Sequence, residues 1–161
     1  MIYFLIAAVI VVVDQISKWM IVQLMELRDS IPIIEGIFHI TSHRNVGAAF
    51  GILENQRLFF IAVTSIVAIG IIYYLYKQRH SKALLVWALA IMLGGVIGNF
   101  IDRLLTGQVV DFFDVNIVLG SFFYNFPIFN IADIAICVGV GLIILDLVLS
   151  SIRESKAKKL A

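Results

Sequence analysis

Apolar residues fill four long windows of the chain, and the polar positions that interrupt them are spaced as on helices. The windows, roughly 1–22, 58–76, 83–104 and 131–152, are each long enough to cross about 30 Å of hydrocarbon at about 1.5 Å of rise per residue. Leu58 to Tyr76 holds no charged residue, nor does Ala83 to Ile101. In the first window Asp14 and Lys18 lie four apart. In the third, Asn99 stands three before Asp102 and four before Arg103, and at the start of the fourth Asn130 stands three before Asp133. Each set falls on one helical stripe. An ionisable group at the centre of a membrane helix costs roughly 2.5 to 3.5 kcal/mol on insertion scales, so the pattern predicts four transmembrane helices with these stripes turned inward and Lys18 and Arg103 neutralising some of the acids.

The connecting segments differ in kind. Over 25–57, Ile31, Ile33, Ile37, Phe38 and Ile40 are β-branched or aromatic and Glu35-Gly36 supplies turn chemistry, which predicts a small sheet lying on the membrane surface. Over 106–130, Phe112, Phe113, Phe122, Phe123, Tyr124, Phe126 and Phe129 make an aromatic loop suited to the headgroup boundary, with Gly120-Ser121 placed to turn a hairpin. The chain reads as one membrane domain with a link over 77–82 and a tail over 153–161.

Composition agrees with this reading. Of the 161 residues 61% are hydrophobic and 14% charged, more apolar surface than one small soluble core can hide. The net charge of +1 gives no footprint for nucleic acid. Where the charges sit is more informative. Lys77, Arg79 and Lys82 crowd the 77–82 link, Arg153, Lys156, Lys158 and Lys159 follow the fourth window, and 106–130 has neither Lys nor Arg. By the positive-inside rule both termini and the link are cytoplasmic, and 25–57 and 106–130 face outward. The first window lacks a basic leader and carries Asp14 and Lys18, so it reads as a retained helix. Cys137, the sole cysteine, is expected to be a buried packing residue.

Candidate chemistry gathers at one depth. Asp14 lies about 20 Å along one outward-running helix and Asn99 about 24 Å along another, while Asp133 begins the fourth span near the outer face. Asp111 and Asp133, flanking the aromatic loop, are the best-equipped pair, because two adjacent carboxylates share a proton and divide acid and base roles. On spacing alone Asp114 competes with Asp111. Asp14, Lys18, Asp102 and Arg103 read equally well as a latch between helices, with Asp102 expected to pair with Arg103 or a neighbouring polar group. Gly94 and Gly98 have the small-xxx-small spacing that lets helix backbones approach. His39 and His43 lack an HExxH pattern or a third imidazole, so a metalloenzyme is not the reading they support. Asp146 matches no pattern. A proton-coupled transporter and a noncatalytic scaffold are the competing functional classes.

Five motifs stand in order: Asp14-Gln15-x-x-Lys18; Asn45-x-Gly47-x-Ala49-Phe50-Gly51; Gly94-Gly95-x-x-Gly98-Asn99-x-x-Asp102-Arg103; Val109-Val110-Asp111-Phe112; and Phe129-Asn130-x-Ala132-Asp133. Together they resemble the lipoprotein signal peptidase family, also called signal peptidase II. The resemblance implies an aspartic endopeptidase of the bacterial cytoplasmic membrane, acting near the outer face on diacylglyceryl-modified prolipoproteins and inhibited by globomycin-type peptides. It implies that Asp111 and Asp133 are the catalytic dyad and that Asp14, Lys18, Asn45, Asn99, Arg103 and Asn130 support or bind. It also implies four spans with an extracytoplasmic β-cradle and a short surface helix over 45–53, and no metal or organic cofactor.

Overall fold

The computed structural model describes residues 2–47, 56–78, 80, 83–120 and 122–160. Its elements run α1 (Ile2–Leu24), β1 (Ser30–Ile34), β2 (Phe38–Asn45), α2 (Arg57–Lys77), α3 (Leu84–Leu105), β3 (Val109–Leu119), β4 (Phe122–Asn125) and α4 (Ile131–Leu160). Four helices, Ile2–Leu24, Arg57–Lys77, Leu84–Leu105 and Ile131–Ser155, are long and apolar enough to cross a membrane. A small antiparallel sheet completes the fold. Of the surface helix expected over 45–53, residues 48–53 lie outside the described residues.

Helix α3 is the centre of the bundle, with ten buried positions from Val86 to Asp102. The other helices give it single stripes. On α1 the buried residues are Tyr3, Ala7, Asp14 and Lys18, spaced by four, seven and four, so one face packs and the rest meets lipid. Tyr3 meets Trp87 edge to face at 4.8 Å between ring centroids. α2 buries only Ile71 and Leu75, both far from its first turn. Where α3 passes α4, a Cβ on Gly95 would overlap the Ala132 carbonyl, so a glycine is what permits that approach. Many large apolar side chains, such as Leu5 at 63% and Ile66 at 72%, stay exposed on the bare bundle, as a lipid solvent requires.

The sheet has the order β1-β2-β3-β4. Gly36, with φ +72°, turns β1 into β2, and Gly120, with φ +59°, ends β3 ahead of β4, both where left-handed backbone favours glycine. An irregularity between Ile40 and His43 shifts the β2–β3 register, after which His43 faces Asp111 and Asn45 faces Val109. Such bulges re-aim side chains. Phe113 and Phe129 form an isolated bridge, with Phe112 N–H and Phe113 N–H both donating to the Phe129 carbonyl at 3.0 and 2.8 Å. That bridge delivers the chain to α4 directly beside Asp111.

The aromatic loop is more divided than its composition suggests. Phe122 and Phe123 are exposed, but Phe112 is 4% exposed and stacks with Phe113, which in turn meets Phe129. Half of the loop is therefore a packed cluster that fixes the β3-to-α4 connection.

Candidate functional site

The first turn of α4 is organised by its own sequence. Asn130 precedes the helix; its Oδ1 accepts the Asp133 N–H at 3.0 Å, and Asp133 Oδ2 accepts the Asn130 N–H at 3.1 Å. This is a reciprocal capping box, which satisfies two of the donors every helix start leaves open. The spacing of three first read as a shared stripe is thus also an N-cap and N3 pair, a signal present in Asn130-Ile131-Ala132-Asp133. A third donor, the Ala132 N–H, goes to Asp14 Oδ1 at 2.9 Å, so a carboxylate from α1 sits at the positive end of α4.

The Asn130 amide works in the other direction too. Its Nδ2 donates to Asp111 Oδ1 at 2.6 Å, and also lies 3.1 Å from Asn99 Oδ1 and 3.3 Å from the Val110 carbonyl. Asp111 Oδ2 accepts from Asn45 Nδ2 at 2.9 Å, and Asp133 Oδ1 accepts from Asn99 Nδ2 at 2.7 Å. Each of the four oxygens of the two acids therefore receives one amide hydrogen bond. Asn99 is held in the required orientation because Lys18 Nζ donates to its Oδ1 at 2.9 Å, leaving its NH2 for Asp133. Lys18 also pairs with Asp14 and Asp102, both at 2.9 Å. Asp102 takes further bonds from Gln15 Nε2 at 2.9 Å and the Val110 N–H at 3.2 Å.

Asp102 pairs with Lys18, not Arg103. Adjacent residues on a helix point about 100° apart, so the two cannot face one partner region. Among the described residues Arg103 makes no ion pair; its Nη2 donates to the Gly47 carbonyl at 3.2 Å and its guanidinium lies over the Phe60 ring at 4.8 Å. Gln15, quoted in the first motif but given no role, proves to be bonded to Asp14, to the Gly98 carbonyl and to Asp102. Cys137, expected to be buried, is exposed and lines the main cavity four residues beyond Asp133, on the same helical face. Packing residues on α4 lie on the α3 side, where Gly139 approaches Met92.

Asp111 and Asp114 separate cleanly. In an extended strand an odd spacing turns side chains to opposite faces. Asp111 is 1% exposed within the polar cluster, whereas Asp114 Oδ2 accepts from Thr41 Oγ1 at 2.8 Å across the sheet. Burial pushes the Asp111 carboxyl up to about 7, and the neighbouring Asp133 charge adds to this against the opposing amide bonds from Asn45 and Asn130.

A cavity of about 800 Å³ opens on this cluster, lined by Asn45, Asn99, Arg103, Asp111 and Asp133 at its polar end and by the 125–129 loop and Ile134, Cys137 and Val138 beyond. A smaller one of about 290 Å³ reaches Asn99, Arg103 and Asp133 from the α2 side. Two acids, one of them titrating near neutrality, at the head of an apolar cavity can divide a proton between donor and acceptor roles.

Comparison with known proteins shows what the chain is similar to. Residues 6–149 match the family described as signal peptidase (SPase) II. A lipoprotein signal peptidase of Halalkalibacterium halodurans is 52% identical over 159 residues, covering 99% of this chain and 97% of the relative. One of Bacillus subtilis is 51% identical over 156 residues, covering 97% and 99%. Two solved structures, both titled as bacterial membrane enzymes determined in meso, superpose with TM-scores of 0.83 and 0.77 at 42% and 43% identity. The first alignment covers 92% of this chain and 88% of the other; the second covers 90% and 91%.

Proposed function

The chain belongs to the signal peptidase II family, a bacterial membrane protease of lipoprotein maturation, and on that premise we propose that it is an aspartic endopeptidase whose dyad is Asp111 and Asp133. The observation that carries the reading is the sharing of Asn130 by both carboxylates, its side chain on one and its backbone on the other. Asn45, Asn99, Asn130, Asp14 and Lys18 hold the pair, and Arg103 faces the substrate across the cavity. The substrate is a prolipoprotein with a diacylglyceryl-modified cysteine. Its signal helix lies in the bilayer, and the apolar cavity walls at Ile134, Val138 and Phe126 receive the residues next to the scissile bond.

In this mechanism the pair carries one proton. The ionised carboxylate takes a proton from a water as its oxygen attacks the scissile carbonyl carbon, while the protonated acid gives its proton to the carbonyl oxygen. The tetrahedral intermediate then breaks at C–N: one carboxyl protonates the departing cysteine amine, the other takes a hydroxyl proton, and the pair returns to one proton. The amides of Asn45, Asn99 and Asn130 fix the carboxylates before substrate arrives, so little reorganisation accompanies the attack.

The positive-inside bias supports cytoplasmic termini, an extracytoplasmic β-cradle and a dyad near the outer face of the cytoplasmic membrane. A direct test incubates the purified protein in detergent with lipid-modified prolipoprotein and with its unlipidated form. Cleavage of the first, blocked by globomycin, is expected; equal rates on both would refute the substrate assignment, and no cleavage of either would refute the activity.

A further inference from the structure

The end of α2 nearest the site is held unlike the other helices. Its buried residues, Ile71 and Leu75, lie in its far half. Near the site a gap of about 290 Å³ separates Val63, Thr64 and Val67 on α2 from Val96, Arg103 and Asp133. On the site half of α2 no side chain is fully buried, and Phe60, Ile61 and Thr64 are only half-buried.

Arg57, the first residue of α2, bridges to α3 beyond the end of that gap. Its Nε donates to the Arg103 carbonyl at 2.9 Å and its Nη2 to the Leu104 carbonyl at 2.7 Å. These are carbonyls of the last turn of α3, where intrahelical donors run out and the helix dipole favours a cation, so a guanidinium fork is well matched to them. The Arg57 stem lies against Gly107: a Cβ there would come 3.1 Å from Arg57 Cδ. Gly107 has φ +78° and closes α3 with its N–H on the same Arg103 carbonyl at 3.2 Å. One turn along α2, the Phe60 ring supports the guanidinium of Arg103. Arg103 is therefore gripped twice from α2, on its backbone by Arg57 and on its side chain by Phe60.

We infer that Arg57 is a positioning residue for Arg103: it fixes the site end of α2 against α3 and thereby sets both the width of the smaller cavity and the place from which Arg103 faces the two acids. Its guanidinium touches neither acid and does no chemistry. The inference rests on the proposed peptidase reading in so far as Arg103 acts on substrate, but the geometry it describes is measurable without turnover.

The experiment compares Arg57→Met, which keeps an apolar stem and loses the donors, with Arg57→Lys, which restores a cation. Spin labels at Leu24 and Leu58, 75% and 81% exposed, report the separation of α1 and α2 near the site in a Cys137→Ser background. Arg57→Met is expected to lengthen and broaden that distance and to lower kcat about tenfold, with KM changed less than about threefold, since small misplacements of a positioning group are costly in rate. Arg57→Lys should return both readouts most of the way. An unchanged distance distribution in Arg57→Met, a wild-type kcat, or no recovery with Lys each overturns the inference. If the unmutated protein cleaves no lipid-modified substrate, the peptidase reading fails, while the distance measurement still decides whether Arg57 holds α2.

Discussion

Asn130 and Asp133 cap one another across the first turn of α4, each accepting the other's backbone N–H, at 3.0 and 3.1 Å. Asp133 thus has a structural duty besides its proposed chemical one, and the two can be pulled apart. In Asp133→Asn the side-chain oxygen still accepts from Asn130, so the helix start survives while the acid is gone. Its NH2 then meets the Asn99 NH2, so we expect a loss of thermal stability of about 1 to 3 kcal/mol, the cost of an unmade buried hydrogen bond, and at least about a hundredfold loss of cleavage, the scale of general acid–base contributions. Asp133→Ala should lose the cap as well, by about 0.5 to 2 kcal/mol. Unfolding in detergent beside a cleavage assay reads both, and a folded Asp133→Asn protein with normal cleavage would remove Asp133 from the dyad.

Asp114→Asn distinguishes the two acids of β3. Because Asp114 bonds to Thr41 on the sheet, cleavage should stay within about twofold of the parent, whereas Asp111→Asn should lose at least about a hundredfold. The reverse outcome would reassign the dyad.

The pH profile follows from Asp111, raised by burial and by Asp133 from 3.8 to about 7. A carboxyl raised on folding binds its proton more tightly in the folded protein, so protonation stabilises the fold. That contribution is full below about 4 and is lost as pH rises to about 7. Because the mechanism needs one proton on the pair, cleavage should hold near neutrality and fall as pH rises past about 7. A rate that keeps rising well into the alkaline range would contradict this.

Lys18 serves two buried carboxylates, Asp14 at 0% and Asp102 at 7% exposed. Lys18→Met leaves both uncompensated and should cost about 3 to 5 kcal/mol, the range for breaking a buried pair from one side. Adding Asp102→Asn should recover part of that loss. Differential scanning fluorimetry in detergent is the measurement, and a single mutant as stable as the parent would show that the cluster is hydrated.

Gly98 faces Asp14 so closely that a Cβ would lie 2.5 Å from its Oδ2. Asp14 cannot retreat, being tied to Lys18 and to the Ala132 N–H. Gly98→Ala should therefore destabilise by about 1 to 3 kcal/mol and reduce cleavage through a displaced α4 start. Equal stability and rate would mean that the α1–α3 contact has slack.

Sequence pattern reached the helices and most of the polar cluster, because intramembrane polarity is expensive enough that each departure from it carries information. Depth arithmetic alone brought Asp14, Asn99 and Asp133 to one level, and hydrogen bonds through Lys18, Ala132 and Asn99 do join them. What periodicity could not reach was direction within a turn. Of the two partners expected for Asp102, Arg103 or a neighbouring polar group, the second holds, since Asp102 goes to Lys18 and Gln15 while Arg103 turns to Gly47; and Cys137, expected to be buried because it lies inside a span, is on the side that α4 turns to the cavity. Arg57 was invisible for a different reason: its partners are backbone carbonyls, which no side-chain pattern encodes.

The Asp14–Ala132 hydrogen bond joins the first span to the last across a sequence separation of 118. A ribosome delivers those two ends in order, so α1 must enter the bilayer long before its acceptor has a donor to meet. It brings its own counterion for the wait, since Lys18 stands one turn from Asp14 and forms an ion pair with it inside α1. Within α1 the pair is a locally neutral unit, and in the folded bundle it persists while Lys18 also reaches Asp102 on α3 and Asp14 reaches Ala132 on α4. A nascent chain that stops before residue 130 therefore carries Asp14, Lys18, Asn99 and Asp111 but neither Asn130 nor Asp133, and so lacks half of the proposed dyad.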